Sequence, residues 1–318
     1  MNRPDPDISL QDEAARAGWL YYVGGMTQDQ IAAELGTSRQ RAQRLVSRAI
    51  SEGLIHVRLN HHIASCLALE SDLTRRFGLT RCRVAPGLGL GADPSRAIAP
   101  TAATELERYL RMPDSKVIAF GTGRALRAMA EQFAPTDARQ HRIVSLLGNI
   151  APDGSATLYD VISRIAEKLK APYYPMPVPV ICDTAEEREF FMHLRPVQAV
   201  YNLARRADVT FVGVGQMSAD APLVVDGFVT PEVLAELQAA GAAGEIGSWV
   251  YDEQGRYIDS PRNALVGGVR VEPGQSQPVI AIAAGPSKVR AIRAAMIGRI
   301  VNGLVTDEAT AEAILSDA

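Results

Sequence analysis

The 318-residue chain carries three cysteines, five histidines, two tryptophans and 6% aromatic residues, and each scarcity removes a class of protein. Cys66, Cys82 and Cys182 lie far apart with no C-x-x-C pair, which fits neither a disulfide framework nor a zinc site and makes a reducing cytoplasm the expected setting. The histidines (56, 61, 62, 141 and 193) are scattered, and no H-E-x-x-H, G-x-S-x-G or P-loop string occurs, so no catalytic residue, metal or cofactor is expected. Long apolar runs are missing too. VIAIAA at 279–284 is too short to cross a bilayer, and residues 1–18 contain acids and no apolar h-region, so neither export nor a membrane partner is expected. Nor is there a basic excess: 33 Lys and Arg against 36 Asp and Glu give a net charge of -3 and a pI near 6.0. That balance excludes a chain that coats nucleic acid or anionic lipid non-specifically.

What is present begins with 47% apolar residues in a length that suits two domains. The stretch Met26–Ile50, MTQDQIAAELGTSRQRAQRLVSRAI, reads as a helix-turn-helix. Thr27 opens a T-x-x-Q capping box with Gln30 and Thr37 a second with Gln40, with Gly36 making the turn. Ile31, Ala32 and Leu35 give the first helix an apolar face, and Ala42, Leu45, Val46, Ala49 and Ile50 give the second one. Arg41, Arg44 and Arg48 fall on the opposite side, flanked by Gln40, Gln43 and Ser47. Arginine pairs bidentately with guanine and glutamine with adenine, so this face has the chemistry of major-groove reading; its other reading is a solvated cationic face. From Ser38 to Arg58 five arginines (39, 41, 44, 48, 58) against Glu52 give 5 - 1 = +4, a local basic patch on an acidic chain. Thr27, Thr37, Ser38, Arg39, Gln40, Arg41, Gln43, Arg44 and Arg48 are therefore the candidate DNA-contacting residues. A helix before them, Gln11–Val23, brings Ala14, Ala17, Trp19, Leu20 and Val23 to the same small core, with Tyr21 and Tyr22 read as packing. After them LIHVRLN at 54–60 alternates like a wing, with Arg58 in reach of phosphate.

Ile63–Phe77 reads as a connecting amphipathic helix, and from Arg81 short apolar runs alternate with helical stretches, the pattern of a parallel sheet covered by helices. Strands are expected near 82–85, 116–120, 142–147, 172–176, 209–215, 247–251 and 279–284. Helices are expected near 95–111, 124–133, 157–170, 184–194, 230–240, 286–298 and 307–316. The fold class is thus a small all-α helix-turn-helix domain, residues 1–60, followed by a large α/β domain, residues 61–318.

VIAFGTGRALRAM at 117–129 joins a strand, a glycine loop and a helix start. The N–H groups of Gly121, Thr122 and Gly123 can turn inward, the helix dipole points at the same spot, and Arg124 adds a fork of donors, all suited to phosphate; an ordinary tight turn has the same residues. GLGLGA at 87–92 matches G-x-G-x-x-A, but Pro94 follows and no acid-ended strand lies about twenty residues on, so no dinucleotide site is expected there. Gly148–Asn149 and Gly213–Gly215 also end apolar strands, as loops lining one crevice would. Asp226, Glu245, Asp252, Asp259 and Lys288 have side chains suited to acid-base or sugar-hydroxyl work, but most of them are expected at the surface.

With WLYYVGGMTQDQIAAELGTSRQRAQRLV at 19–46, FGTGRAL at 120–126, GEIGSWVYDEQG at 244–255 and AAGPSKVRAIRAAMIGRIVNGLVTDEATAEAIL at 283–315, the chain resembles the SorC family of bacterial transcriptional regulators over almost all of Ala15–Leu315. The resemblance implies an effector domain like the sugar-phosphate isomerase and glucosamine-phosphate deaminase fold. Such a domain binds a phosphorylated or free sugar or polyol and changes the regulator's grip on operator DNA. It places a phosphate loop on Gly121, Thr122, Gly123 and Arg124, with Gly148 and Asn149 beside it, Glu245 toward sugar hydroxyls and Lys288 near the phosphate. Ala125 stands where a hydroxyl residue is frequent in the family, and Glu245 where aspartate is commoner. A homodimer is expected from the half-site logic of helix-turn-helix proteins, and the family adds a homotetramer. The runner-up reading is a sugar-phosphate enzyme fused to a nucleic-acid module.

Overall fold

The computed structural model describes residues 6–55, 64–89, 91–151, 154 and 161–316, and the chain separates into two compact units, residues 1–61 and 62–318. In the first, α1 (Pro6–Tyr22), α2 (Gln28–Glu34) and α3 (Arg39–Ser51) close over Ala14, Ala17, Leu20, Ile31, Ala32, Ala42, Leu45, Val46 and Ala49. Most of these are alanines, which let the helix backbones approach closely. Trp19 and Val23, expected in the core, are 56% and 68% exposed, and Ile50, Tyr21 and Tyr22 are exposed as well. Trp19 sits about 100° round the helix from Leu20, and Val23 falls past the helix end, so neither faces inward. The wing expected at 54–60, Arg58 included, lies outside the described residues from 56 onward.

Thr27 caps α2 as expected, its hydroxyl accepting from Gln30 N while the Gln30 side chain accepts from Thr27 N. The second cap is one residue later than the sequence suggests. Thr37 N donates to Ala32 O at 2.8 Å and Gly36 N to Ala33 O at 3.3 Å, with Gly36 at φ 61°, the double closure that ends a helix on a left-handed residue. Because Thr37 is spent in closing α2, Ser38 becomes the cap of α3 and accepts from Arg41 N at 3.3 Å. Ser38→Ala should therefore cost this unit about 1 kcal/mol and Thr37→Ala well under half of that. Equal losses in thermal unfolding would return the cap to Thr37.

The second unit contains β1 (Arg81–Ala85), β2 (Val117–Phe120), β3 (Arg142–Ile150), β4 (Tyr173–Pro179), β5 (Val209–Val212), β6 (Gly215–Gln216), β7 (Ala242–Ile246), β8 (Trp249–Asp252), β9 (Val279–Ile282) and β10 (Gly303–Asp307). Its helices are α4 (Ala64–Phe77), α5 (Pro94–Leu110), α6 (Arg124–Gln132), α7 (Val161–Leu169), α8 (Ala185–His193), α9 (Arg195–Arg205), α10 (Pro222–Val225), α11 (Pro231–Ala239), α12 (Pro261–Ala264), α13 (Val289–Ile297) and α14 (Glu308–Ser316). Seven strands form one parallel sheet in the order β1-β10-β9-β5-β2-β3-β4, and β6, β7 and β8 a small antiparallel sheet.

Alternation along the strands builds two cores. Ile118, Phe120, Phe211, Ile280 and Ile282 point to α5, α6 and α7, where they meet Ile98, Leu106, Leu126, Met129 and Ile165. Val117, Ala119, Val212, Val279 and Ala281 point the other way, to Leu73, Val197, Val200, Ile292 and Ile314 of α4, α9, α13 and α14. The strands are buried on both faces, which is why they read as short continuous apolar runs.

The structure departs from the expected elements at several points. The run 209–215 breaks after Val212, and β6 joins the small sheet instead. Gly247 and Ser248, read as strand, are a tight turn with φ of 59° and 68° between β7 and β8. The strands β7 and β10 were not expected, nor was α9, although Val197, Val200 and Ala204 have helical spacing after Pro196. The start of the helix expected at 157–170 lies outside the described residues up to 160.

Candidate functional site

Strands β2, β3 and β4 are laid down outward on one side of the sheet, and β5, β9 and β10 on the other, so the order of winding reverses between the parallel neighbours β2 and β5. Loops leaving two such neighbours diverge and leave a crevice at the carboxyl ends of the strands. A cavity of about 390 Å³ lies there, and all eight candidate residues line it: Gly121, Thr122, Gly123, Arg124, Gly148, Asn149, Glu245 and Lys288.

Their roles differ from the sequence reading in two respects. Gly121 does not offer its N–H to the cavity, because that group extends the β2–β5 ladder to Phe211 O at 2.8 Å. Gly148 is there for packing: a Cβ would come within 2.4 Å of the Val178 and Pro179 carbonyls of β4. The cradle proper is the start of α6. Gly123 precedes it at φ 130°, a conformation L side chains rarely adopt, and no side chain caps the helix. The first-turn N–H groups and the positive end of the helix dipole therefore face the cavity with no side-chain acceptor among the described residues. Across from it Gly285, at φ 118°, leads into the helical run Pro286–Ile297, again with no side-chain cap. Arg124 is exposed and has no ion-pair partner among the described residues. Burial pushes the Lys288 ammonium below the usual lysine range; nearby Glu245 opposes that shift and Arg124 adds to it.

Glu245 is positioned by the small sheet. It pairs with Gly215, and its carboxylate lies where a Cβ on that glycine would be, the Oε1 being 2.1 Å from the position. Its other oxygen accepts from Ser248 N at 2.8 Å, a contact the tight turn at Gly247–Ser248 creates. Burial raises its pKa, while the Ser248 N–H and the charges of Lys288 and Arg262 pull it down. A carboxylate, an ammonium and an uncapped helix start in one cavity can hold a ligand with an anionic end and a hydroxylated end. The sequence reading placed Asp226 mostly on the surface and did not single out Asp93, Ser95, Gln216 or Asp220; all five line the cavity. The signal for Gln216, Asp220 and Asp226 was available, since they follow the carboxyl end of β5. Asp252, by contrast, serves Arg256 locally. Among the described residues no group of three or more His, Cys, Asp or Glu side chains could hold a metal ion.

On α3 the buried stripe is Ala42, Leu45, Val46 and Ala49, and Gln40, Arg41, Gln43, Arg44 and Ser47 are exposed. Three arginines meet acids: Arg39 lies 3.5 Å from Asp29, Arg41 2.8 Å from Glu13 and Arg48 2.5 Å from Glu52. Exposed pairs of this kind contribute about 0–1 kcal/mol each and are readily exchanged for phosphate. Arg44 has no such partner among the described residues, which leaves its guanidinium the most available group on the face.

Residues 61–316 match a family model described as "Putative sugar-binding domain", and residues 13–62 one described as "MarR family". The chain is 36% identical over 311 residues to the erythritol catabolism regulatory protein EryD of Brucella abortus, covering 98% of each. It is 30% identical over 314 residues to the transcriptional regulator LsrR of Klebsiella pneumoniae, covering 97% of this chain and 94% of that one. Among solved structures, the full-length sorbitol operon regulator SorC from Klebsiella pneumoniae superposes with a TM-score of 0.71 at 28% identity, covering 98% of this chain and all of that one.

Proposed function

The chain belongs to the SorC family of transcriptional regulators, and from that premise we propose that it controls genes of carbohydrate catabolism through a phosphorylated polyol or sugar bound in the crevice between β2 and β5. The observation that carries the ligand reading is the uncapped start of α6 at Gly123–Arg124, set in one cavity with Lys288 and Glu245. The phosphate sits on the first-turn N–H groups between the two cations, and Glu245 accepts from a hydroxyl. Asn149 is the second polar group on the β3 side. The names of two relatives speak of erythritol and sorbitol, both linear polyols, which supports the polyol class. Those relatives are regulators, so the fused-enzyme reading is set aside. Titrating the full chain with four- to six-carbon polyol and sugar monophosphates while following its melting temperature tests the ligand. A specific compound at a hundred times its Kd stabilises by about 2.7 kcal/mol; no shift with any of them removes the cavity from the account.

The α3 face, residues 38–48 with Thr27 at the start of α2, is assigned to operator DNA, and regulation takes place in the cytoplasm, where DNA and phosphorylated metabolites meet. Among the described residues no helix is long and apolar enough to cross a membrane. One recognition helix reads one half-site, so the regulator acts as a homodimer or homotetramer. Sedimentation should show species at multiples of 34.2 kDa; a single monomer at micromolar concentration, with and without DNA, would contradict this.

A further inference from the structure

One phosphate on the α6 start accounts for one end of the ligand, and the rest of the cavity wall constrains the other. Among the described residues that wall holds two cations, Arg124 and Lys288, and four carboxylates, Asp93, Asp220, Asp226 and Glu245. Three of the acids have protein donors: Asp93 accepts from Ser95 N at 2.9 Å, Asp220 from Ser218 Oγ at 2.5 Å and Glu245 from Ser248 N at 2.8 Å. Asp226 has no hydrogen-bond donor among the described residues. Asp226 is half-buried in the same wall as Arg124, and burial pushes its carboxyl above the ordinary aspartate value although Arg124 pulls it back. Gln216 adds an independent sign. It is 8% exposed, it lines the same cavity, and its Oε1 meets no donor among the described residues. A buried amide oxygen left without a donor is costly unless something else supplies one.

The segment from β6 to α10 carries no cation of its own; among the described residues Arg124 is the positive group that acts on Asp220 and Asp226, and Asp220 also accepts from the Gln216 amide. A ligand end that meets it must bring donors. A phosphate dianion on the cradle neutralises both cations of the cavity, and a second anionic group would then face four carboxylates with nothing left to balance it. We propose that the cavity takes a singly phosphorylated polyol or sugar whose far end bears hydroxyl donors and no second anion. Gln216, Asp220 and Asp226 read those hydroxyls, and the two acids exclude sugar bisphosphates and phosphorylated sugar acids. The inference rests on the phosphate reading above and adds to it the residues that set selectivity.

Calorimetry on the full chain tests it with matched compounds: erythritol, glucitol and fructose monophosphates against erythronate phosphate, gluconate phosphate and fructose bisphosphate, with the free polyols and their free acids as controls. The best-binding monophosphate is expected to bind at least about tenfold more tightly than its doubly anionic counterpart, the size of effect that like charges a few ångströms apart produce beside a half-buried Asp226 and an exposed Asp220. Asp220→Asn combined with Asp226→Asn should shrink that ratio to about threefold or less, and Gln216→Leu should weaken the monophosphate while leaving the ratio in place. Both acids are exposed or half-buried, so the double variant is expected to fold, and its melting curve checks this. A doubly anionic compound binding as tightly as its monophosphate, or a ratio unchanged in the double variant, overturns the proposal. If free polyols bind as tightly as their phosphates, the phosphate reading fails by itself; the acid wall then stands only if free polyol is preferred to its free acid and the double variant loses that preference. Binding by none of the compounds overturns both.

Discussion

Arg124→Ala is expected to weaken a phosphorylated polyol by about tenfold to a hundredfold and to leave the unphosphorylated parent within about twofold, the loss of charge-assisted hydrogen bonds to a dianion. The side chain is exposed, and its ion-pair partners are absent among the described residues, so its removal should leave the fold intact and the change confined to the ligand. The α6 N–H groups remain in the variant, which is why binding falls and does not vanish. Asp220 and Asp226 also lose the charge of Arg124, so a small fall in the parent's affinity is compatible with the assignment. Calorimetry with the monophosphate and its parent separates the outcomes. Equal losses for both would mean that Arg124 reads the carbon chain and that the phosphate, if any, lies elsewhere.

The second large effect is on DNA. Arg44→Ala should lower affinity for a specific site by about 1–3 kcal/mol if Arg44 pairs with a base, and should relax preference at one position of that site. Arg41→Ala and Arg48→Ala should cost less, because each arginine must first leave Glu13 or Glu52, and each variant also frees an acid near the DNA. A pure phosphate contact behaves differently: it lowers affinity alike on all sequences and reduces the salt dependence by about one charge. Fluorescence anisotropy with site-selected DNA at two salt concentrations distinguishes these results. Unchanged affinity in all three variants would remove α3 from the interface.

Much of this architecture can be read in the chain because burial on both faces leaves a mark. VIAF and VIAI are apolar at every position and VTFV at all but Thr210, and in the structure their alternate apolar residues feed two separate cores. The glycine loop after β2 is visible for the same local reason, a strand, a glycine pair and an amphipathic helix within thirteen residues. What escaped is decided by geometry between elements. Ser38 takes the cap from Thr37 because closing α2 uses the Thr37 N–H, a one-residue shift that the T-x-x-Q spacing does not reveal. Gly121 gives its N–H to β5, a neighbour far away in sequence. Gln216 and Asp226 become wall residues only because β6 leaves the main sheet to pair with β7. The strand β10 is hidden by its composition, since GLVTD holds only two large apolar residues and runs directly into the acidic start of α14.

The central claim is that one ligand in the β2–β5 crevice sets the grip on DNA, and the affinity of site-selected DNA measured with and without a saturating polyol monophosphate tests it most directly. The account predicts a change corresponding to about 1–3 kcal/mol, in either direction, with the monophosphate's own Kd shifting by the same factor when DNA is bound. A monophosphate that binds the full chain tightly yet leaves DNA affinity unchanged would contradict it.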